Sequence, residues 1–214
     1  MDTRFPWGRR GQHDRRLPSR LVSAPQHRWI LSGGLASGKS TVRGVFASLG
    51  IETIDSDGVG HLVLTPGGSA FPQVARRWPE VVRDGQIDRT ALAAVVFANP
   101  EELATLESIT HPDIFDTIRH RVEEVAGSVV VEIPVLRHGL GEDWCRIVVD
   151  SRDETRLERA MNRGMSKKDA QHRIARQPSR REWLAAADLV IPNHGSENEL
   201  EEAAIQLIAQ LSPE

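Results

Sequence analysis

The chain is poor in several things, and each shortage removes a class of protein. Among 214 residues there is one cysteine, Cys145, so no intramolecular disulfide can form and the stapled secreted scaffolds are excluded. Long apolar runs are missing too. The longest, residues 91–98, falls far short of the roughly 20 residues a membrane helix needs. The N-terminus is charged and has no apolar h-region, so a secretory signal is not expected. The eight histidines are scattered, without His-x-x-x-His or His/Cys clusters, and no transition-metal site is expected. No Ser/His/Asp or thiol triad stands out. Lysine is scarce: of 27 basic residues only Lys39, Lys167 and Lys168 are lysine, and the other 24 are arginine. None of the three follows an Asn, which removes the N-K-x-D guanine motif and with it a GTPase. A soluble cytoplasmic protein is the expectation that remains.

What is present suits one compact domain, with room for a small inserted module. The net charge of -3 hides unequal regions. Residues 1–28 carry seven arginines against two aspartates and little apolar periodicity, which reads as a flexible extension. Residues 29–150 hold ten basic and 17 acidic side chains. Residues 151–181 hold ten basic and four acidic, and residues 182–214 seven acidic and none basic. A basic stretch inside an acidic protein points to an anionic ligand there.

From Trp29 onward strand and helix patterns alternate. Short strands are expected at residues 29–31, 51–54, 129–133, 146–149 and 189–191, and helices at 40–49 and from about 196 to 211. Several helical segments are expected between Val59 and Ala126, punctuated by Pro66-Gly67-Gly68, Pro79, Asp84-Gly85, Asn99-Pro100 and His111-Pro112. Ser151-x-x-Glu154, Ser166-x-x-Asp169 and Ser196-x-x-Glu199 look like capping boxes. Trp78, Trp144 and Trp183 read as packing residues. Strands separated by helices imply an α/β fold with a parallel sheet covered on both faces.

Gly33-Gly34-Leu35-Ala36-Ser37-Gly38-Lys39-Ser40 fits the phosphate-loop pattern G-x-x-x-x-G-K-[ST] between a strand and a helix. Glycines let the backbone wrap a phosphate so that N–H groups face the anion. Lys39 supplies a mobile point charge, and the Ser40 hydroxyl suits Mg²⁺. Asp55-Ser56-Asp57 ends the second strand, where open α/β sheets hold their ligands. Two carboxylates there suit phosphoryl transfer, one activating an acceptor hydroxyl and the other supporting Mg²⁺. The same residues also fit an Asx turn closing the strand. Glu132 reads equally as a Mg²⁺-side carboxylate or a strand-end charge, and His111 as a helix start or a site histidine. Arg152, Arg156, Arg159 and Arg163 recur once per helical turn, as do Arg173, Arg176 and Arg180. Such a stripe suits a lid that neutralises phosphate, or a solvated face.

Taken in order, these motifs resemble the dephospho-CoA kinase family over about residues 29–211. The likeness rests on the phosphate loop, Ile54-Asp55-Ser56-Asp57, Pro66-Gly67, Asp84-Gly85-Gln86-Ile87-Asp88-Arg89 with Leu92 and Phe97, and His111-Pro112. It continues through Glu132-Ile133-Pro134-Val135-Leu136, Arg159 and Arg163, Arg173-Ile174-Ala175-Arg176-Gln177, Ala187-Asp188, Asn193 and Gly195. The resemblance implies a P-loop kinase with a five-stranded parallel core (29–56, 127–151 and 187–211), a substrate-binding helical region (57–126) and a lid (152–180). It implies transfer of the ATP γ-phosphate to the 3′-hydroxyl of dephospho-CoA, with Mg²⁺. In that frame Gly34, Leu35, Ala36, Ser37, Gly38, Lys39, Ser40, Thr41, Asn193 and Gly195 hold ATP, and Ser40 and Asp55 place Mg²⁺. Asp55, Asp57, Arg89, His111, Pro134 and Leu136 meet the acceptor. Asp57 is the base, and Lys39, Arg159 and Arg163 attend the transferring group.

The chain departs from the family's pattern at three places. Arg137-His138 replaces an aromatic or aliphatic residue followed by Glu, Pro192 replaces an Asp, and Ala36 replaces a loop glycine, which suits only a negative φ there. Three other readings stay open: a P-loop kinase for another small alcohol or nucleotide, an ATP-binding regulatory module with weak transfer, and a nucleic-acid-associated protein using the Arg-rich arm of residues 1–28. A monomer or small homo-oligomer without membrane or nucleic-acid partners is expected.

Overall fold

The computed structural model describes residues 27–136, 138–141 and 143–211. Apart from His27 and Arg28, the expected extension lies outside them, and Arg28 already belongs to the first strand. Along the chain the elements are β1 (Arg28–Ser32), α1 (Lys39–Ser48), β2 (Glu52–Asp55), α2 (Ser56–Val63), α3 (Phe71–Arg77), a 3-10 turn (Pro79–Val81), β3 (Val82–Arg83), β4 (Gln86–Ile87), α4 (Arg89–Ala98), α5 (Pro100–Glu123), β5 (Val129–Glu132), β6 (Cys145–Asp150), α6 (Asp153–Asn162), α7 (Lys167–Ala175), α8 (Arg180–Ala185), β7 (Leu189–Pro192) and α9 (Glu197–Leu211). Among the described residues no helix is long and apolar enough to cross a membrane. The chain divides into two units, one of residues up to 54 and from 125 onward, the other of residues 55–124.

The first unit is built on the five-stranded sheet β2-β5-β1-β6-β7. β1 runs parallel to both β5 and β6, and β6 parallel to β7. The apolar runs Val129-Val130-Val131 and Ile147-Val148-Val149 are buried throughout, as strands covered on both faces must be. Helix α9 buries Leu200, Ala203, Ala204, Leu207 and Ile208, the i, i+3, i+4, i+7, i+8 stripe of an amphipathic helix. That stripe and Val42, Val45 and Phe46 of α1 pack on Trp29, Leu31, Ile147 and Val149. Each large side chain so buried contributes about 1.5–3 kcal/mol, which fixes the sheet that presents the loops at its strand ends.

The second unit holds α2 to α5 and the β3–β4 hairpin. Asp84 (φ 48°) and Gly85 (φ 73°) form its two-residue turn, the left-handed pair that matches strand twist. Val74, Trp78, Val81, Ile87, Leu92 and Val96 form its core, and the Trp78 indole donates to Glu102 at 2.8 Å. Asp88 caps α4 by accepting from the N–H groups of Thr90 and Ala91, and Asn99 caps α5 ahead of Pro100.

Three local expectations need correcting. His111-Pro112 does not punctuate the chain, because α5 runs through it. Both residues lie on the exposed side of α5, where solvent takes over the one backbone bond a proline ring deletes, while Thr110, Ile118 and Val122 keep the buried side continuous. Ser151 does not cap α6, whose N-cap is Arg152 without a side-chain bond. β6 continues to Asp150, so Ser151 is still leaving the sheet and is itself buried. Ala36 has φ 56°, in the left-handed region and not below zero. Ser166 and Ser196 do cap α7 and α9. A further box, Ser179 with Glu182, opens α8. Trp78, Trp144 and Trp183 are all buried, as packing residues should be.

Candidate active site

Residues 33–38 join β1 to α1, and Lys39 and Ser40 open the helix. Gly33 (φ 146°) and Gly38 (φ 105°) adopt backbone that side chains resist. A Cβ on Gly38 would strike the Asn193 amide and Leu200, so glycine is also required there by space. Gly38 is the N-cap of α1, and the loop therefore ends on the helix terminus whose first N–H groups lack intrahelical acceptors. Lys39 folds back so that Nζ donates to the carbonyls of Gly33 (3.0 Å) and Gly34 (3.1 Å). Ser40 is exposed at the first turn of α1. Thr41 Oγ1 donates to Glu197 at 3.2 Å. The methyl of Ala36 is buried with Ala160 and Ala170, against Leu35, Leu157 and Met165.

The arginine stripe divides: its middle members, Arg156 and Arg159, turn inward from α6, and its two ends stay exposed. Arg156 is 2% exposed. Its Nε donates to the Leu35 carbonyl (3.0 Å), Nη1 to Asp153 (2.7 Å) and Nη2 to the Gln177 side-chain oxygen (2.6 Å). Gln177 accepts the Leu35 N–H with that same oxygen at 2.7 Å. One turn on, Arg159 Nη2 donates to Asn193 Oδ1 (2.9 Å) and to the Gly195 carbonyl (3.2 Å). Asn193, buried, completes the chain by donating Nδ2 to the Ser37 carbonyl at 2.7 Å. The structure thus brings Asn193, Gly195 and Arg159 together around the loop. Both functional ends of the Asn193 amide are engaged by protein. Arg152 is exposed at the N-cap of α6, and Arg163 is exposed at its C-cap.

At the end of β6, Asp150 takes a bidentate pair from Arg180, at 2.7 and 2.6 Å. That hydrogen bond holds the Arg180 guanidinium above its ordinary pKa. His194 Nε2 lies 3.5 Å from the same carboxylate. A cavity of about 10 Å³ beneath the loop is lined by Gly34, Ser37, Asp150, Arg156, Arg180 and Trp183.

The segment carrying Pro134 and Leu136 is held from below by Arg146. This buried residue of β6 donates to Ser32 Oγ (2.7 Å) and to the carbonyls of Val135 (3.2 Å) and Leu136 (2.7 Å). Burial lowers the Arg146 pKa and the Asp188 carboxylate acts against that. Glu132 forms an ion pair with Arg43 at 3.4 Å. Arg137 lies outside the described residues.

In the second unit, Asp55 is the N-cap of α2 and accepts the Asp57 N–H at 3.0 Å. The Asx-turn geometry is therefore present, and Asp57 is exposed on the first turn of α2. Arg89 opens α4 and is exposed; His111 lies mid-helix in α5, its ring 5.8 Å from that of Phe115. These two stand on different helices, and no bond joins them among the described residues.

Sequence reasoning missed Arg146, the Asp150–Arg180 pair and the buried role of Arg156. An arginine inside an apolar strand was the available signal for the first. The others depend on contacts between segments far apart in sequence.

A parallel sheet in this order, with a phosphate loop between β1 and α1, defines a P-loop kinase. The shikimate kinase from Acinetobacter baumannii has the same fold, with a TM-score of 0.51 at 15% identity over 89% of this chain and 97% of that one. A family model described as dephospho-CoA kinase matches residues 29–199, and the chain belongs to that family. The dephospho-CoA kinase of Carboxydothermus hydrogenoformans is 39% identical over 178 residues, 78% of this chain and 85% of its own. That of Chromobacterium violaceum is 40% identical over 177 residues, 79% and 87% of the two chains. Among solved structures, one from Thermus thermophilus has a TM-score of 0.75 at 30% identity, over 87% of this chain and 100% of that one. The dephospho-CoA kinase from Campylobacter jejuni has a TM-score of 0.65 at 26% identity, over 86% and 96%. The protein is accordingly a phosphotransferase.

Proposed function

We propose that this chain transfers the γ-phosphoryl group of ATP to the 3′-hydroxyl of dephospho-CoA, giving coenzyme A, in the cytoplasm. The observation that carries the nucleotide half of this reading is the loop at residues 33–40, wrapped over two left-handed glycines onto the N-terminus of α1. Membership of the family carries the acceptor half.

In this reading the first-turn amides of α1 and the Lys39 ammonium hold the phosphates. Lys39 already sits on the loop carbonyls, so phosphate exchanges with partners it has in place. Asp57 takes the proton from the acceptor hydroxyl. The 3′-oxygen bonds to the γ-phosphorus, the bond to the β,γ-bridging oxygen breaks, and ADP leaves. Arg163, exposed at the end of α6, contributes charge to the transferring group, with residues 152–180 acting as a lid. Arg159 acts from the far side of Asn193, through the loop. Arg89, His111, Pro134 and Leu136 contact the acceptor, and Gly195 lies on the nucleotide side.

Mg²⁺ fits the donor set. Among the described residues no group of three or more His, Cys, Asp or Glu is placed to hold a metal. Mg²⁺ in kinases is bound by one or two protein oxygens plus substrate phosphates, and Ser40 and Asp55 would supply them. The ion would neutralise charge on the phosphates.

The test is a coupled ADP-release assay with dephospho-CoA. Turnover dependent on dephospho-CoA is expected; ATP binding without such turnover overturns the acceptor assignment. Asp57→Asn is expected to lower kcat by about 10²–10⁴ while ATP affinity stays near wild type. An unchanged kcat removes Asp57 from the role.

A further inference from the structure

The loop's second half faces the helix terminus, but the backbone on both sides of Leu35 is gripped from outside. Its carbonyl accepts from Arg156 Nε at 3.0 Å, and its N–H donates to Gln177 at 2.7 Å. The two gripping side chains are bonded to each other at 2.6 Å, and Asp153 fixes the third edge of the guanidinium at 2.7 Å. Arg156 comes from α6 and Gln177 from the link between α7 and α8. The two successive peptide units that flank the Leu35 Cα, 34–35 through its N–H and 35–36 through its carbonyl, are therefore held by two elements of the 152–180 segment.

A guanidinium with 2% exposure and three protein acceptors on its edges is not available to a phosphate. Arg156 thus belongs to a different group from the exposed arginines around it. Its planar fork matches two acceptors set by rigid backbone and by Gln177, which an ammonium on a flexible stem does not reproduce. Gly34 lacks a side chain where that fork passes, since a Cβ there would overlap the Arg156 guanidinium.

We propose that Arg156 and Gln177 are positioning residues for the nucleotide. They fix the two peptide units flanking Leu35 so that the remaining loop amides are preset for phosphate, and they make residues 152–180 respond when phosphate binds. This rests on the reading of residues 33–40 as an ATP site, but not on dephospho-CoA as acceptor.

The experiment is calorimetric titration of the full chain with MgATP, without acceptor. It uses wild type, Arg156→Lys, Arg156→Ala, Gln177→Ala and the double Ala variant. Hydrogen exchange of residues 152–180 is followed with and without ATP. Losing a hydrogen bond to a charged group that presets the loop is expected to weaken ATP binding about 10- to 100-fold in Arg156→Ala. Arg156→Lys should fall nearly as far, because the fork and not the charge is needed. Gln177→Ala should weaken binding about tenfold, and the double variant should be no worse than threefold below the weaker single. ATP should protect residues 152–180 in wild type and not in Gln177→Ala.

Wild-type affinity in Gln177→Ala, full rescue by lysine, or a double variant equal to the product of the singles each overturns the proposal. If Arg156→Ala does not fold, Gln177→Ala and Arg156→Lys decide it. ATP binding with the expected variant pattern, but no transfer to dephospho-CoA, sinks the acceptor assignment and leaves the clamp standing.

Discussion

Asn193 donates from Nδ2 to the carbonyl of Ser37 at 2.7 Å, tying the residue after the last strand to the middle of the phosphate loop. Its Oδ1 accepts from Arg159 at 2.9 Å, so one buried amide links sheet, loop and α6.

Asn193→Ala removes a donor from a buried carbonyl and an acceptor from Arg159. Leaving such groups unsatisfied costs about 1–3 kcal/mol. For a domain of this size that corresponds to a fall in Tm of roughly 2–4 °C per kcal/mol. Asn193→Asp should do no better: it keeps an acceptor for Arg159 but turns a carboxylate oxygen toward the Ser37 carbonyl. Thermal melting and the KM for ATP measure both effects. An Asn193→Ala protein that melts with wild type and keeps its KM would show that the loop stands without this brace.

Ala36 sits at φ 56° with its methyl among Ala160, Ala170 and Leu157. The left-handed conformation costs an L-residue about 1–2 kcal/mol. Ala36→Gly relieves that strain, but loses a buried methyl worth about 0.8 kcal/mol. It also frees the unfolded chain by about 0.4–1 kcal/mol. The terms nearly cancel, and denaturant unfolding should place Ala36→Gly within about 1 kcal/mol of wild type. Ala36→Val adds a branched side chain at a forbidden φ in a filled cluster and should lose about 2 kcal/mol or more. Equal midpoints for Ala36→Val and wild type would mean that the loop does not hold this conformation.

The same residues show how far the sequence is readable. The loop at 33–40, the strands Val129-Val130-Val131 and Ile147-Val148-Val149, the Asp84-Gly85 turn and the stripe of α9 are all local patterns, set by residues next to one another or one helical turn apart. They are legible for that reason. Spacing puts Arg156 and Arg159 on one face of α6, but says nothing of what that face meets. Leu35 lies 121 positions from Arg156 and 142 from Gln177, and only the folded sheet brings them together. Arg146 is similar: the carbonyls it holds are 10 and 11 residues away, in a segment without regular structure. At Ala36 a positive φ goes with a methyl buried against Ala160 of α6 and Ala170 of α7, contacts that no local pattern encodes.

Cys145 supplies a probe of β6, because it is the chain's one thiol. Burial, and after it the nearby Asp188 charge, push its pKa up to about 12. Almost no thiolate exists at pH 8, and the sulfur is covered as well. Iodoacetamide should therefore label the native protein only as fast as β6 opens, and in denaturant at the rate of a free thiol. Labelling of the native protein at the free-thiol rate would contradict the burial of this strand.

His138 makes stability depend on pH. Burial, and after it the Arg146 guanidinium, hold its pKa below the ordinary 6.5. Between the folded and the unfolded value the unfolded chain binds more proton than the folded one, so acid favours unfolding. The contribution is fully present above about pH 7.5 and is lost as pH falls through 6.5 toward the folded value. His138→Gln cannot titrate, and its denaturant midpoint should fall less between pH 7.5 and 5.5 than that of wild type. The other seven histidines are common to both proteins, so the difference between the two curves isolates position 138. Parallel curves would mean that His138 takes up its proton as easily in the folded protein as in the unfolded chain. The loop beside Arg146 would then be open to solvent, and the carbonyls of Val135 and Leu136 would not be held as described.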